Sequence, residues 1–552
     1  MRLLLITFLV VSLPSQAQTL FHNGHFHDTG SDGAATAMLV DAGGRIAGLG
    51  SVESLRDLAA GAERVDLGGG HVLPGLIDAH GHLLNLGFAL LSADLVGADS
   101  KDEVLARLRA FEARLPEGAW LTGRGWDQNR WPGAQFPTAA DLDAAFPERP
   151  VWLRRIDGHA GWANSAAMAL AGRDLAGDWQ PDGGRILRDD HGQATGVFID
   201  AAMALVGGAE PAPDEATRLR ALELALAEAS RLGLTGVHDA GVSLDTLHLL
   251  RRLADQDRLP LRVYAMADGD AEALDWLCRE GRYRHPGGRL QMRSVKLYMD
   301  GALGSRGAAL LRDYSDEAGN RGLLVTPRER IEAAIAKAAR CGIQANTHAI
   351  GDRANRLVLD AYARVLDGDD GAARFRIEHA QVVSGQDIAR FAALGVIASM
   401  QPIHATSDMP WAQARIGRQR LDGAYAWQRL AGAGARLAFG SDFPVEPVNP
   451  WFGLYAAITR QDADGQPPGG WLPDQRVDLA TALRGFTIDA AFAGFAEDEV
   501  GALAPGMRAD FIVLPADPHT LSPARLRDLT VASTWLDGRQ VAAASPQGAT
   551  RP

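Results

Sequence analysis

The chain has 552 residues, of which 47% are hydrophobic and 22% are charged, a composition typical of a globular protein with a large core. Its length exceeds that of one average domain and fits a large barrel with additions. The formal net charge of −13, together with the lack of any basic stretch able to follow a phosphate backbone, argues against nucleic acid and leaves a small-molecule substrate as the expected partner.

Residues 1–17 have the pattern of a secretory signal peptide. Arg2 precedes an apolar run over residues 3–13, and Ser15 and Ala17 supply the small side chains that a cleavage site needs. The alternative, a transmembrane anchor, needs about 20 apolar residues, more than this run contains. We therefore expect an exported protein, periplasmic or secreted, that begins near Gln18 and has no stable membrane anchor.

Two flanking segments differ from the middle of the chain. Residues 18–70 and 497–545 are β-rich and punctuated by glycine, and neither contains a long helical pattern. We predict that these flanks combine into one small β-sandwich.

Between the flanks, residues 71–490 alternate short apolar runs with helix-patterned stretches, which predicts a parallel α/β architecture. Eight runs end in polar or glycine-rich turns, the number that a (β/α)₈ TIM-like barrel needs. The predicted strands are residues 71–77, 235–239, 261–266, 294–298, 343–348, 376–379, 396–400 and 436–440. A crossover helix is predicted over 354–366, and residues 84–234 are too many for a simple crossover, which predicts an α/β insertion near the active-site face.

Polar side chains stand at the carboxyl ends of these strands. His80 and His82 follow the first strand with one residue between them, so both rings project to the same side of an extended backbone. His348 ends the fifth strand, His379 ends the sixth, and Asp442 follows the eighth. Barrel enzymes keep their catalytic groups at this face, and imidazole and carboxylate bind zinc and related ions. The pattern therefore predicts a metal site.

Lys296 lies inside the apolar fourth strand, where burial of an unpaired ammonium is costly. Its amine can react with carbon dioxide to give an anionic carbamate that bridges two metal ions. The alternative is an ion pair with an acid such as Asp300, and the residues alone favour that ion pair.

Three further side chains are candidates for contact with substrate. They are His159 in the insertion, Arg306 after the fourth strand, and His404 after the seventh, which would steady a carbonyl oxygen. For His159 and Arg306 a solvated surface position is the alternative. His238, at the end of the second strand, is expected near the site but not as a ligand.

The two cysteines are too few to define a disulfide framework. Cys278 and Cys341 are compatible with one disulfide or with two buried thiols.

Residues 72–82, Val-Leu-Pro-Gly-Leu-Ile-Asp-Ala-His-Gly-His, resemble the opening signature of the amidohydrolase superfamily. The fuller set of motifs is similar to the branch of that superfamily that includes N-substituted formamide deformylase. The supporting segments are residues 123–127, 157–165, 296–301, 347–352, 377–379, 440–442 and 501–513. The resemblance covers nearly the whole chain after the signal peptide.

The resemblance implies a role for each candidate ligand. His80, His82 and Asp442 would bind the more buried metal ion, His348 and His379 would bind a second, and carbamylated Lys296 would bridge them. The ion is expected to be zinc, and members of this superfamily differ in holding one ion or two, so the number stays open.

The implied reaction is hydrolysis of a non-peptide C–N bond in an amide or formamide-like substrate. A metal-bound hydroxide attacks the carbonyl carbon, and Asp442 relays the proton to the departing nitrogen. The alternatives are ester or lactone hydrolysis at the same site and a metal-retaining solute-binding protein without turnover. The substrate and the oligomeric state are left open, and a homo-oligomer is compatible with the sequence.

Overall fold

The computed structural model describes residues 17–27, 35–156, 158, 160–181, 184–269, 271–366, 368 and 371–543. Apart from Ala17, the predicted signal peptide lies outside these residues. The chain then forms five short strands, which are β1 (Thr19–Phe26), β2 (Ala35–Val40), β3 (Ile46–Gly50), β4 (Glu63–Asp66) and β5 (His71–Pro74). Strand β1 pairs antiparallel with β2 and parallel with β4 and β5.

The first predicted barrel strand is in fact two strands that meet at Gly75. Residues 71–74 form β5 in the sheet just described, and β6 (Leu76–Gly81) is the first strand of the barrel. The backbone changes partners at this point, because the Gly75 amide donates to the Asp510 carbonyl and the Leu76 amide to that of Gly233. Only glycine fits here, since a Cβ atom would lie 2.1 Å from the Thr235 hydroxyl oxygen.

An α/β unit follows helix α1 (Leu83–Leu90) in the long gap between the first two barrel strands. Its six-stranded sheet has the order β11-β12-β10-β9-β8-β7. The strands are β7 (Ala93–Asp94), β8 (Leu121–Trp126), β9 (Val151–Arg155), β10 (Ala160–Ala163), β11 (Gly184–Arg188) and β12 (Ala194–Asp200). The helices are α2 (Lys101–Glu112), α3 (Ala139–Asp143), α4 (Ser165–Met168) and α5 (Ala204–Gly207).

This insertion touches the barrel at the face where the candidate ligands lie. The Arg124 guanidinium donates a hydrogen bond of 2.6 Å to the carbonyl oxygen of Pro444, two residues after Asp442. The insertion is therefore placed beside the end of the eighth barrel strand.

The barrel consists of β6 and seven further parallel strands, so all eight predicted strands are present. They are β13 (Leu234–Val242), β14 (Arg262–Asp268), β16 (Leu290–Tyr298), β17 (Gln344–Ala349), β18 (Arg376–His379), β19 (Ile397–Met400) and β20 (Leu437–Phe439), with short β15 (Tyr283–Arg284) paired to β16. The barrel is nearly closed, because the Asp442 amide donates to the His80 carbonyl and the His82 amide to that of Phe443.

Helices follow the barrel strands along the chain. They are α6 (Glu215–Arg231), α7 (Leu244–Asp255), α8 (Ala271–Glu280), α9 (Arg328–Arg340), α10 (Asp352–Ala363), α11 (Ile388–Ala393), α12 (Pro402–Ile416), α13 (Trp427–Gly432), α14 (Pro450–Thr459), α15 (Leu479–Gly485) and α16 (Ile488–Ala493). Helix α10 is the predicted crossover helix and begins two residues earlier than expected. Cys278 of α8 and Cys341, directly after α9, form a disulfide. No helix of the described residues is long and apolar enough to cross a membrane.

The end of the chain returns to the sheet that its beginning started. It forms β21 (Phe511–Leu514), helix α17 (Pro523–Arg527), β22 (Ser533–Leu536) and β23 (Arg539–Ala543). Strand β21 pairs antiparallel with β5, so both chain ends share one eight-stranded sheet. We call this the chain-end sheet. Its arrangement as a two-layered sandwich stays a prediction.

Helices α1 and α6 pack so closely that a Cβ atom on Gly87 would lie 2.0 Å from the Ala221 carbonyl oxygen. We expect Gly87→Ala to lower the free energy of unfolding by about 1–3 kcal/mol, because the two helices must move apart. The control is Gly432→Ala in α13, where a Cβ atom would have no neighbour within 4 Å. Denaturant unfolding should show that variant unchanged or slightly more stable, and equal loss in both would contradict the packing argument.

Candidate metal centre

The ends of β6 and β16 and the segment after β20 bring four polar side chains together at the carboxyl end of the barrel. The Nε2 atom of His82 lies 3.0 Å from Oδ1 of Asp442, and Nε2 of His80 lies 3.6 Å from the same oxygen. The Nζ atom of Lys296 lies 3.2 Å from Nε2 of His80. The residues predicted to hold the more buried ion therefore meet around one carboxylate.

The neighbouring strands β17 and β18 extend this group. The ring of His379 lies 4.9 Å from that of His80 and 4.6 Å from that of His348, measured between centroids. Two sets of three side chains could each hold an ion, because the ligand atoms within each set lie within 4.8 Å of one another. Asp442 belongs to both sets. The sets are His80, His82 and Asp442, and His379, His404 and Asp442. The structure thus brings all six predicted ligands together.

Three of the imidazoles are oriented in the same way. Their Nδ1 atoms each face an oxygen that can only accept a hydrogen bond, so the proton is on Nδ1 and the lone pair on Nε2. The acceptors are the Ala240 carbonyl for His82 (2.8 Å), Glu378 for His80 (2.6 Å) and the Gln401 side chain for His379 (2.8 Å).

This orientation provides a test of whether the residues fit a metal ion. The lone pair of His82 Nε2 faces the Asp442 carboxylate at 3.0 Å, and two acceptors at that distance repel each other unless a proton or a metal ion lies between them. The buried Nε2 atom of His348 also has no hydrogen-bond partner among the described residues. A divalent ion with a preference for imidazole and carboxylate would satisfy these atoms.

Burial favours the form of histidine that binds metal. Burial, together with the charge of the nearby Lys296, lowers the pKa of His80 to about 4 and that of His348 to about 3. The pKa of His379 is also well below its ordinary value, chiefly because of burial. These imidazoles are therefore neutral near pH 7, as metal ligation requires.

A buried ion pair that sequence reasoning gave no role holds His80 in place. The Glu378 carboxylate lies 2.6 Å from His80 Nδ1 and 2.7 Å from Nε of Arg376. Burial alone would raise the pKa of Glu378, but Arg376 and His80 lower it to about 2. The sequence signal for this pair was the spacing of Arg376 and Glu378. They are two residues apart in β18, so both side chains lie on the same face of the strand.

Arg376 in turn binds three other barrel strands. Its Nη2 atom donates to the Ala79 carbonyl at 2.5 Å and to the Ser399 hydroxyl at 2.7 Å, and its Nη1 atom lies 2.9 Å from Nδ1 of His238. His238 therefore contacts the support of the centre, and Arg376 fixes the relative positions of β6, β13, β18 and β19.

Asp78 holds the backbone next to Asp442 and at His80. Its carboxylate accepts hydrogen bonds from the Ser441 hydroxyl at 2.7 Å and from the His80 amide at 3.0 Å. Asp442 itself has a positive φ of 62°, a conformation that a non-glycine residue keeps only when its surroundings enforce it. A Cβ atom on Gly440 would lie 2.5 Å from both Asp78 and the His80 amide, so glycine is required there.

The ion pair between Lys296 and Asp300, which the residues alone favoured, is not formed among the described residues. The Asp300 carboxylate instead accepts hydrogen bonds from the backbone amides of Ala309, Ile350 and Gly351. Lys296 is only 1% exposed, and burial lowers the pKa of its amine.

Of the three candidates for substrate contact, only His404 is placed at the centre. Its Nε2 atom is buried and lies 3.6 Å from Oδ2 of Asp442. Arg306 instead forms a two-pronged ion pair with Asp316, so its charge is already paired. His159 lies outside the described residues.

A nearly closed barrel of eight parallel strands, with buried imidazoles and a carboxylate at their carboxyl ends, is the arrangement found in metal-dependent hydrolases. Comparison with known proteins agrees with this class. A model of the amidohydrolase family matches residues 63–542. The putative amidohydrolase YtcJ of Bacillus subtilis is 32% identical over 532 residues, which cover 95% of this chain and 99% of that protein.

Two further relatives are similar over most of their length. N-substituted formamide deformylase of Arthrobacter pascens is 31% identical over 526 residues, 91% of this chain and 94% of that protein. A crystal structure of an uncharacterized metal-dependent hydrolase from Pyrococcus horikoshii OT3 has a TM-score of 0.78 at 29% identity, covering 92% of this chain and 99% of that one. The chain belongs to the amidohydrolase family, and the resemblance seen in its motifs is confirmed.

If Glu378 holds His80 in its binding orientation, Glu378→Gln should weaken Zn²⁺ binding about 10- to 100-fold. The matched control is Glu497→Gln, which breaks the Glu497–Arg374 ion pair just before β18 and away from the imidazoles. Competition with a chromogenic chelator measures both affinities. Equal affinity in the Glu378 variant and the wild type would contradict the positioning role.

Proposed function

We propose that the protein is an exported, metal-dependent amidohydrolase that cleaves a non-peptide C–N bond in an amide or formamide-like small molecule. The observation that carries the proposal is the Asp442 carboxylate, which lies 3.0 Å from the Nε2 atom of His82 and belongs to both groups of side chains that could hold an ion in the barrel. The 31% identity to N-substituted formamide deformylase supports the substrate class. The Cys278–Cys341 disulfide supports an oxidising compartment outside the cytoplasm.

The donor set suits zinc. His80, His82 and Asp442 would hold one ion, and His348 and His379 would hold a second, with Lys296 between them. When bound, the ion supplies Lewis acidity, which activates water and polarises a carbonyl group.

Asp442 is suited to move the proton in this reaction. One of its oxygens faces His82 and His80, while the other faces His404, so the carboxylate borders both sides of the centre. A carboxylate in this place accepts the proton of the attacking water and delivers it to the departing nitrogen.

His404 has the opposite tautomer from His82. The Gln381 amide nitrogen lies 3.1 Å from Nδ1 of His404 and donates to it, so the ring proton is on Nε2. That Nε2 atom is buried and has no hydrogen-bond partner among the described residues. It is thus a free donor beside Asp442, suited to stabilise the negative charge that develops on the carbonyl oxygen, the role predicted for it from its place after the seventh strand.

Lys296 fits the role of a carbamylated bridge. Its amine points at the Nε2 atom of His80 from 3.2 Å. A cation held by that nitrogen would be repelled by an ammonium group and attracted by a carbamate. The chain contains only three lysines, and the other two, Lys101 and Lys337, form ion pairs with Asp141 and Asp275 nearer the surface.

The proton relay predicts that Asp442→Asn lowers kcat about 10²- to 10⁴-fold on a panel of N-substituted formamides while bound metal is retained. Asp316→Asn, which removes the carboxylate that pairs with Arg306 and Arg415, serves as the control and should keep full activity. Full hydrolysis by Asp442→Asn would exclude the relay. Metal-loaded wild type without turnover of any amide or ester would favour a solute-binding protein, and turnover of esters alone would favour an esterase or lactonase.

Carbamylation predicts one carbamate signal in the ¹³C NMR spectrum of protein incubated with labelled bicarbonate. The signal should be lost in Lys296→Arg and kept in Lys101→Arg and Lys337→Arg, which together account for every lysine of the chain. An active, metal-loaded wild type without this signal would show that Lys296 is unmodified.

A further inference from the structure

Outside the barrel, histidines collect on one face of the chain-end sheet. His25 of β1 and His71 of β5 are direct partners in the parallel register, and His27 lies two residues beyond His25 and so on the same face. The ring centroids of His25 and His71 are 4.8 Å apart and those of His27 and His71 are 5.2 Å apart, both in stacked geometry. The pairing of two strands is thus sufficient to place three imidazoles side by side.

The segment after β21 adds two more ligand types to this face. Leu514, the last residue of β21, is the register partner of His71, so the chain that follows it passes the three rings. Oδ1 of Asp517 lies 3.9 Å from Nε2 of His27, and the His519 ring lies 5.3 Å from that of His27. His27, Asp517 and His519 each offer a ligand atom within 4.8 Å of the others.

We propose that this cluster is a second metal site, which binds Zn²⁺ or an ion of similar ligand preference through His27, Asp517 and His519. Two imidazoles and one carboxylate are a ligand set that zinc accepts, with water in the fourth position. His27 and Asp517 are 20% and 26% exposed, so an ion can enter from solvent and still be partly shielded from it.

The His71 ring lies against His27. Nε2 of His27 and Nδ1 of His71 are 2.9 Å apart, the distance of an ordinary hydrogen bond between two imidazoles. This contact holds the His27 ring in place beside Asp517 and His519.

Such an ion would connect the start of the chain with its end. His27 directly follows β1, and Asp517 and His519 follow β21, so one ion would close a loop that contains the whole barrel. A ligand that binds only the folded state stabilises that state, and a link between distant residues also restricts the unfolded chain. The site would therefore be structural and separate from the hydrolytic centre.

The test is a metal count on the full exported chain, without an affinity tag, after loading with Zn²⁺ and dialysis against metal-free buffer. We expect the double variant His27→Ala/His519→Ala to retain one zinc equivalent per chain fewer than the wild type. His248→Ala, an exposed histidine of α7, is the matched control and should keep the wild-type count. His82→Ala should lose zinc from the barrel and keep the equivalent in the cluster.

Thermal unfolding gives a second readout that does not depend on hydrolysis. Added Zn²⁺ should raise the melting temperature of the wild type by more than that of the double variant, and the rate of hydrolysis should be the same in both. His519→Gln, a conservative change at an exposed position, replaces the double variant if that variant does not fold. It should lose the same zinc equivalent. An unchanged zinc count, or zinc that dialysis removes from the wild-type cluster, would overturn the proposal.

Discussion

The ion pair between Glu378 and Arg376 is completely buried, and the position of the candidate centre depends on it. Neither charge has access to water, so each must be compensated by the other and by the groups around them. Glu378 uses its second oxygen to orient His80, and Arg376 binds the backbone or side chains of three more strands. The same contacts that neutralise two buried charges therefore set the geometry of the ligands. Removing one partner would leave the other charged and unpaired, which disturbs strand packing and metal binding at once.

Much of this architecture could be predicted from the sequence, because the barrel strands are apolar runs with polar residues at one end. The five His and Asp residues predicted to bind metal were recognised for that reason, and the structure places them close together. The division of the first strand could not be seen, since it depends on where Asp510 and Gly233, distant in sequence, place their carbonyl groups. The predicted pairing of Asp300 with Lys296 was wrong, because the backbone amides that Asp300 accepts from instead carry no signature in the residue types.

The support of the centre was harder to recognise than its ligands. Glu378 lay within a motif that was noted, but a charged residue in a buried strand gives no indication of which histidine it will meet. Asp316, ten residues from Arg306, could equally have been a surface acid, and only the fold shows that it pairs with that arginine. Ligands are predictable from their position on a strand, whereas their partners are set by the contacts between strands.

The junction at Gly75 also bears on the order in which the protein can fold. Strand β5 runs into β6, which carries His80, and the antiparallel partner of β5 is β21 near the end of the chain. During synthesis β21 emerges late, so the segment leading to His80 and His82 lacks that partner until translation is almost complete. The centre of the molecule can therefore reach its final form only after both termini have met, and a truncation at the carboxyl end would act on the first barrel strand.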